Sequence, residues 1–340
     1  MKSTTKPAVT TAQIQALVKK HFGNDAVVAG QRELTGGWFN AAFRVEIPAK
    51  GLDLVLKVAP GPGAKTFTYE QKAMDTEVAM LRMLAGYPDI PVPKLHAVDF
   101  DGDIVPSKCF FMDFLTGAPW NKIKGQVSRA NHATLEKEFA AIQMAINAIK
   151  GNHFGFMVPN DDGRIKKETW YEAFSELVAI ILEDYARYGV KVPAFATTAA
   201  RRLPEFEPSF REVKQPSLVH WDLWEGNIFL EKRGDGYHIQ GITDFERALW
   251  ADPYIEVSFW TPKRHAVLVD CYGREAFEAR DVQVRRAFYD LYLSMIMYLE
   301  TCTRGYSWLF SKSIGIYSIL RARQAWRQLE RKSFVMLERE

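Results

Sequence analysis

Apolar residues at helical spacing open the chain. Ile14, Leu17, Val18 and Phe22 recur every three or four positions and predict an amphipathic helix that Gly23 can end. Thr10 followed by Gln13 fits a capping box at its start. The pattern then changes to strands over 32–34, 40–47 and 52–58. Within 52–58 alternate residues share a face, so Leu52, Leu54, Leu56 and Val58 form an apolar side and Asp53, Val55 and Lys57 the other. Met74, Val78, Leu81 and Leu84 predict a second helix, which the proline-rich run 88–93 breaks. Two further strands are predicted at 94–100 and 108–114.

After Gly117 the helical period dominates, over 135–149, 169–188, 287–301 and about 313–338, the last with basic residues along an outer face. The exception is a strand pair near 228–230 and 238–243, joined by Lys232-Arg233-Gly234-Asp235-Gly236, a hairpin-turn composition. A strand-rich part over 1–113 followed by a helical part over 118–340 is an α+β arrangement. The length of 340 residues fits two lobes at about 150 residues each. No internal repeat or low-complexity tract is visible.

Composition narrows the classes. With 47% apolar and 25% charged residues, long disorder and fibrous repeats are excluded. Lys plus Arg is 44 against 41 Asp plus Glu, and a net charge of +3 is too small and too mixed for a nucleic-acid or membrane-surface binder. Cys109, Cys271 and Cys302 form no CxxC pair, as expected of reduced thiols in a cytoplasmic protein. The first twenty residues carry no apolar signal core, and 291–299 is too short to cross a bilayer. The expectation is a soluble intracellular protein.

The chemistry concentrates in 219–230, Val-His-Trp-Asp-Leu-Trp-Glu-Gly-Asn-Ile-Phe-Leu, followed by Ile242-Thr243-Asp244-Phe245-Glu246. The order is His-x-Asp-x-x-x-x-Asn, a hairpin, then an Asp closing a strand. Phosphoryl transfer needs such a set: one carboxylate to take the proton of an attacking hydroxyl, and further oxygens to hold Mg²⁺ against nucleotide phosphates. Asp and Asn are singly most often turn residues; the ordered set between apolar strands points to a kinase-like site.

These residues resemble the aminoglycoside phosphotransferase superfamily, which includes choline, homoserine and fructosamine kinases and shares the protein-kinase fold. The resemblance covers about residues 30–260. It implies a two-lobed fold with a small antiparallel-sheet N-lobe (1–113, hinge about 112–117) and a larger, mainly helical C-lobe (118–340). It implies Asp222 as catalytic base, Asn227 and Asp244 as magnesium ligands, and His220 as a brace of the loop backbone. This chain has Trp221 where the family usually has Gly, and Trp224-Glu225 where it often has a His-Pro pair. Glu256, where the family commonly has Asp, is expected to brace the loop.

The nucleotide half is similar too. Lys57 matches the strand lysine that reaches phosphates, with Val55 covering the base. Glu77, in Glu-x-x-x-Leu-x-x-Leu, is the expected partner of Lys57, and Glu70 the rival. Leu34-Thr35-Gly36-Gly37-Trp38-Phe39-Asn40 resembles the family's glycine loop, in which Gly36 and Gly37 let backbone amides approach phosphate oxygens. In the run 110–117, Met112 would sit behind the base, and backbone groups of Asp113 and Leu115 would pair with its edge. The implied cofactors are Mg²⁺ with ATP or GTP as co-substrate, and the implied partners are nucleotide and a small-molecule hydroxyl substrate, with no nucleic acid and no membrane.

The acceptor stays open. Glu172, Glu176, Glu183 and Asp184 read either as an acidic wall for a polycationic aminoglycoside or as a solvated helix face. Trp170, Tyr171, Trp250, Trp260, Tyr306 and Trp308 read either as core or as stacking surface. The resemblance implies a small-molecule kinase, aminoglycoside phosphotransferase-like, that moves the γ-phosphoryl of ATP or GTP to a substrate hydroxyl; the alternatives are a metabolite kinase of the choline, homoserine or fructosamine type and a catalytically silent nucleotide-binding regulator. A protein kinase is disfavoured, because His-Arg-Asp, Asp-Phe-Gly and Ala-Pro-Glu are absent in full.

Overall fold

Five antiparallel strands carry the N-terminal part: β1 (Gly30–Glu33), β2 (Ala41–Ile47), β3 (Leu52–Val58), β4 (Leu95–Asp99) and β5 (Cys109–Asp113), in the order β1-β2-β3-β5-β4. The computed structural model describes residues 5–35, 37, 39–260 and 265–337. Central β3 is buried along most of its length because helices cover both sides of the sheet. Helix α1 (Thr11–Phe22) packs Ile14, Leu17 and Val18 against Leu54, Leu56 and Val58 on one face. Helix α2 (Ala73–Leu84) packs Met74, Val78 and Leu81 against Val55, Phe110 and Met112 on the other. Lys57 lies on the α2 face, opposite Ala42 and Phe110 in register. The alternation of β3 therefore sets which helix each side chain meets, and Lys57 is the charge on the side of α2.

Beyond the connection the chain is mainly helical. The long helices are Arg129–Ala148, Trp170–Arg187, Arg280–Thr303 and Trp308–Leu337. Helix Arg280–Thr303 starts seven residues before the periodicity suggests, because the polar face of its first turns is buried too: Arg285 is 5% exposed and its Nε donates to Asp252 Oδ2 at 2.7 Å. A buried ion pair on a helix erases the apolar period that would reveal it. Short helices such as Ala194–Arg202 and His265–Tyr272 also escaped the sequence pattern. So did a four-stranded sheet of Lys166–Lys167, Phe154–Phe156, Leu249–Ala251 and Ser217–Val219, whose two or three residues per strand cannot show alternation.

Strands Ile228–Arg233 and Gly236–Ile242 pair antiparallel as the turn composition predicts, with Ile228 opposite Ile242. The connection docks on this hairpin: Gly117 N–H donates to Gln240 Oε1 at 2.8 Å, and a Cβ on Gly117 would meet the Leu230 carbonyl at 2.4 Å, so glycine is required by contact. Among the described residues no helix is long and apolar enough to cross a membrane.

Candidate active site

The loop after strand Ser217–Val219 is held by one buried carboxylate. Glu256 Oε2 accepts from the amides of His220 (3.0 Å) and Trp221 (3.1 Å), and Oε1 from those of Leu223 (3.3 Å) and Val257 (3.0 Å). Burial pushes the Glu256 carboxyl up to about 7, against the pull of those amides. His220 is fully buried, and that burial lowers its pKa to about 4, so the ring is neutral near pH 7. Its Nδ1 accepts the Asp222 N–H at 3.2 Å, which assigns the ring proton to Nε2, 2.9 Å from the Thr243 carbonyl. The histidine thus ties the loop to the strand end, its one ring proton donated to the Thr243 carbonyl.

Trp221 has φ 59°, and Asp244 is the other non-glycine residue with positive φ among those described. That conformation costs an L-residue about 1–2 kcal/mol and is one that glycine adopts freely. Packing offsets it here: the indole is 2% exposed, stacked on Tyr292 at 5.6 Å and edge-on to Tyr69 at 6.0 Å. Trp221 therefore packs into the helical core, where it also lines a small cavity with Tyr69, Glu246 and Arg247.

Asp222 is half-buried. Burial, joined by the Asp244 and Glu246 charges, pushes its carboxyl up to about 7, while Arg247 and the Asn227 hydrogen bond oppose the rise. Asn227 Nδ2 donates to both the Asp222 carbonyl (2.9 Å) and Oδ2 (3.1 Å), which turns Asn227 Oδ1 away from Asp222. The hairpin carries the next residues together, and the Thr243 amide donates to the Asn227 carbonyl at 3.0 Å. Asp244 follows immediately. Its Oδ1 accepts from Lys57 Nζ at 2.6 Å, and Lys57 also donates to Glu77 Oε2 at 2.5 Å. Glu246 Oε2 is 3.4 Å from the same ammonium and accepts from Asn40 Nδ2 at 2.5 Å.

Three carboxylates thus face one lysine. Burial opposes the Lys57 charge, but Asp244, Glu77 and Glu246 outweigh it and hold its pKa well above the usual range. Burial pushes Glu77 up, and the lysine holds Asp244 down against its own burial. The surplus of negative charge, the oxygen-only donors of Asn227 and Asp244, and the buried Asn40 Oδ1 with no hydrogen-bond partner among the described residues all suit a hard divalent cation and its water. The residues present fit Mg²⁺.

On the nucleotide side Val55 and Met112 face each other across β3 and β5 in one apolar cluster. The Asp113 carboxylate accepts from His96 (2.6 Å) and the Lys94 amide (3.2 Å), fixing the strand end before Leu115, which lies under Gly241. A Cβ on Gly37 would meet only the Asn40 carbonyl, at 3.8 Å. Gly36 and Trp38 lie outside the described residues. Glu70 is taken by Arg304 and does not reach Lys57 among the described contacts.

The acceptor side differs from the acidic-wall alternative. Glu176 and Glu183 both pair with Arg164, Glu172 caps its own helix, and Asp184 accepts from Thr68 and Arg187. Trp170 and Trp250 are core residues and Tyr171 packs on the core, whereas Trp308 is 70% exposed. The Trp260 side chain lies outside the described residues. Sequence reasoning missed Arg247 beside the loop. It donates to Glu300 at 3.1 Å and stacks over Tyr69 at 5.1 Å, and no motif in the sequence marks it.

Comparison with known proteins shows the family and the fold. Residues 30–295 match the phosphotransferase enzyme family (APH). The chain is 23% identical over 306 residues to a 4-hydroxytryptamine kinase from Psilocybe cubensis, covering 80% of this chain and 76% of that one. A thermostable mutant of aminoglycoside phosphotransferase APH(4)-Ia, in ternary complex with ADP and hygromycin B, superimposes with a TM-score of 0.65 at 17% identity, covering 93% of this chain and 98% of that one. The GDP and kanamycin complex of an APH(2″) enzyme does so with a TM-score of 0.62 at 12% identity, again covering 93% and 98%.

Proposed function

The chain belongs to the phosphotransferase enzyme family, and on that premise we propose that it moves the γ-phosphoryl of ATP or GTP to the hydroxyl of a small metabolite. The observation that carries the proposal is the convergence of Asp222 and Asn227 from one loop, Asp244 from the end of the hairpin and Lys57 from β3, three separate stretches of chain linked through Asn227–Asp222 and Lys57–Asp244 hydrogen bonds. In this reading Asp222 accepts the proton of the attacking hydroxyl, and a pKa near 7 suits a general base at neutral pH. Asn227 Nδ2 orients that carboxylate. Lys57, kept in place by Glu77, pairs with nucleotide phosphates, and Val55 and Met112 wall the base. Asn227 and Asp244 would hold Mg²⁺, which when bound neutralises phosphate charge. The arrangement supplies position and electrostatics, which is most of what phosphoryl transfer asks of a protein.

A metabolite acceptor is favoured over a polycationic drug by charge matching. Glu300 is paired with Arg247, Glu70 with Arg304, and Glu176 and Glu183 with Arg164. An aminoglycoside with several ammonium groups needs carboxylates left unpaired around the base. The hydroxytryptamine kinase relative, by its name, acts on a hydroxyl compound of a different class. The test is Mg-ATP and Mg-GTP turnover against aminoglycosides, hydroxylated indoleamines, choline, homoserine and fructosamines, with Asp222→Asn alongside. Transfer to one of the metabolites, lost in the variant, is expected. Turnover confined to aminoglycosides overturns the acceptor assignment, and nucleotide binding without transfer to any acceptor favours the silent regulator.

A further inference from the structure

The link between the last two long helices reaches across to the nucleotide side. Arg304 follows helix Arg280–Thr303 directly, and its side chain is only 9% exposed. Its Nη2 donates to Glu70 Oε1, and its Nη1 lies 3.5 Å from the Lys65 carbonyl. The guanidinium sits 4.5 Å from the Phe67 ring centroid and 5.3 Å from that of Phe39. These contacts belong to two different elements. Phe39 is in the glycine loop, where its carbonyl also accepts from Thr5 Oγ1 at 3.0 Å. Glu70 closes the turn Thr68–Glu70, which leads into α2, the helix that carries Glu77.

A planar guanidinium can bond in its plane and stack on its faces at once, which an ammonium cannot. We propose that Arg304 is a positioning residue for the nucleotide: by stacking on Phe39 and pairing with Glu70, it holds the glycine loop and the start of α2 in one fixed relation from the helical side. The inference rests on the phosphotransferase reading. Phe39 and Glu70 both lie outside the strands of the sheet, so the cation links two elements that the sheet's own ladder does not join. Arg304 touches no reacting atom. Its role is to keep the loop seated while Glu77 reaches Lys57.

The test is Mg-ADP and Mg-GDP affinity by calorimetry, with nucleotide and acceptor KM measured in parallel on the full chain. A cation–π contact of this kind is worth a factor of about five, and loss of both the stack and the Glu70 pair a factor of about ten or more. Arg304→Met is expected to weaken nucleotide about tenfold or more and leave acceptor KM within about twofold. Arg304→Lys, which restores the charge beside Glu70 but not the stack, recovers unfolding stability and only part of the affinity. Phe39→Leu, a loop change that leaves the core intact, weakens nucleotide about fivefold. Combined with Arg304→Met it adds less than about twofold, because the two side chains act through one contact. Wild-type affinity in Phe39→Leu and Arg304→Lys, or fully additive effects in the double variant, overturns the Arg304 proposal alone. A wild-type chain that binds neither nucleotide overturns the phosphotransferase reading together with it.

Discussion

Replacing Glu256 by Gln tests whether one buried carboxylate shapes the catalytic loop. The wild-type group has two oxygens, each accepting two backbone amides at 3.0–3.3 Å. Gln keeps one oxygen and puts an NH₂ where the other stood. One pair of amides, either His220 and Trp221 or Leu223 and Val257, then faces a donor. Each buried N–H left without an acceptor costs about 1–3 kcal/mol, so the pair costs about 4 kcal/mol. A chain of 340 residues unfolds with an entropy of about 0.7 kcal/mol/K, so that loss lowers Tm by about 6 °C. Turnover falls further than stability alone explains, because the same amides set the backbone on both sides of Asp222, and a displacement of about 1 Å there costs about a hundredfold. Nucleotide affinity, set by Lys57 and the glycine loop, changes little. The assays are thermal unfolding at pH 8, where the carboxylate is ionised, and steady-state turnover with the best acceptor from the panel. Glu256→Asp retains the charge with a shorter reach and falls between wild type and Gln. A Tm within about 1 °C of wild type and an unchanged kcat in Glu256→Gln would refute the bracing role.

His220 carries a folded pKa of about 4 against 6.5 unfolded, so it contributes stability that is present above 6.5 and lost as pH falls toward 4; between pH 7.5 and 4.5 the loss is about 2.5 kcal/mol. Urea unfolding of His220→Gln at both pH values should show a wild-type slope larger by that amount, and equal slopes would contradict it. Asp222→Asn leaves nucleotide affinity near wild type and lowers kcat by about a thousandfold, measured by calorimetry and turnover. Trp221→Gly relieves about 1 kcal/mol of backbone strain but removes the stack on Tyr292, for a net loss of about 2–4 kcal/mol in urea unfolding; a variant as stable as wild type would show that the indole packing contributes nothing. Lys57→Met removes the ammonium that offsets three carboxylates, so nucleotide binding by calorimetry falls at least about a hundredfold.

The strand-rich beginning, the long helices and the order of the chemical residues are legible in the sequence, because they rest on local period and spacing. The alternation of β3 put Lys57 and Val55 on one face before any packing was known, and the hairpin turn at 232–236 implied that Asn227 and Asp244 approach each other. What each charge does depends on its partners in the folded chain. Glu77 and Glu70 lie seven residues apart, yet one meets Lys57 and the other Arg304, and no local pattern distinguishes them. Trp221 is a departure in sequence and a core residue in space, since only the fold brings Tyr292 beneath it. Arg247 and Arg304 carried no motif because their partners, Glu300 on a distant helix and Phe39 in the glycine loop, exist as neighbours only after folding. Local propensity acts over a few residues and charge pairing over a few ångströms, and in this chain the second distance is crossed only by long-range contacts.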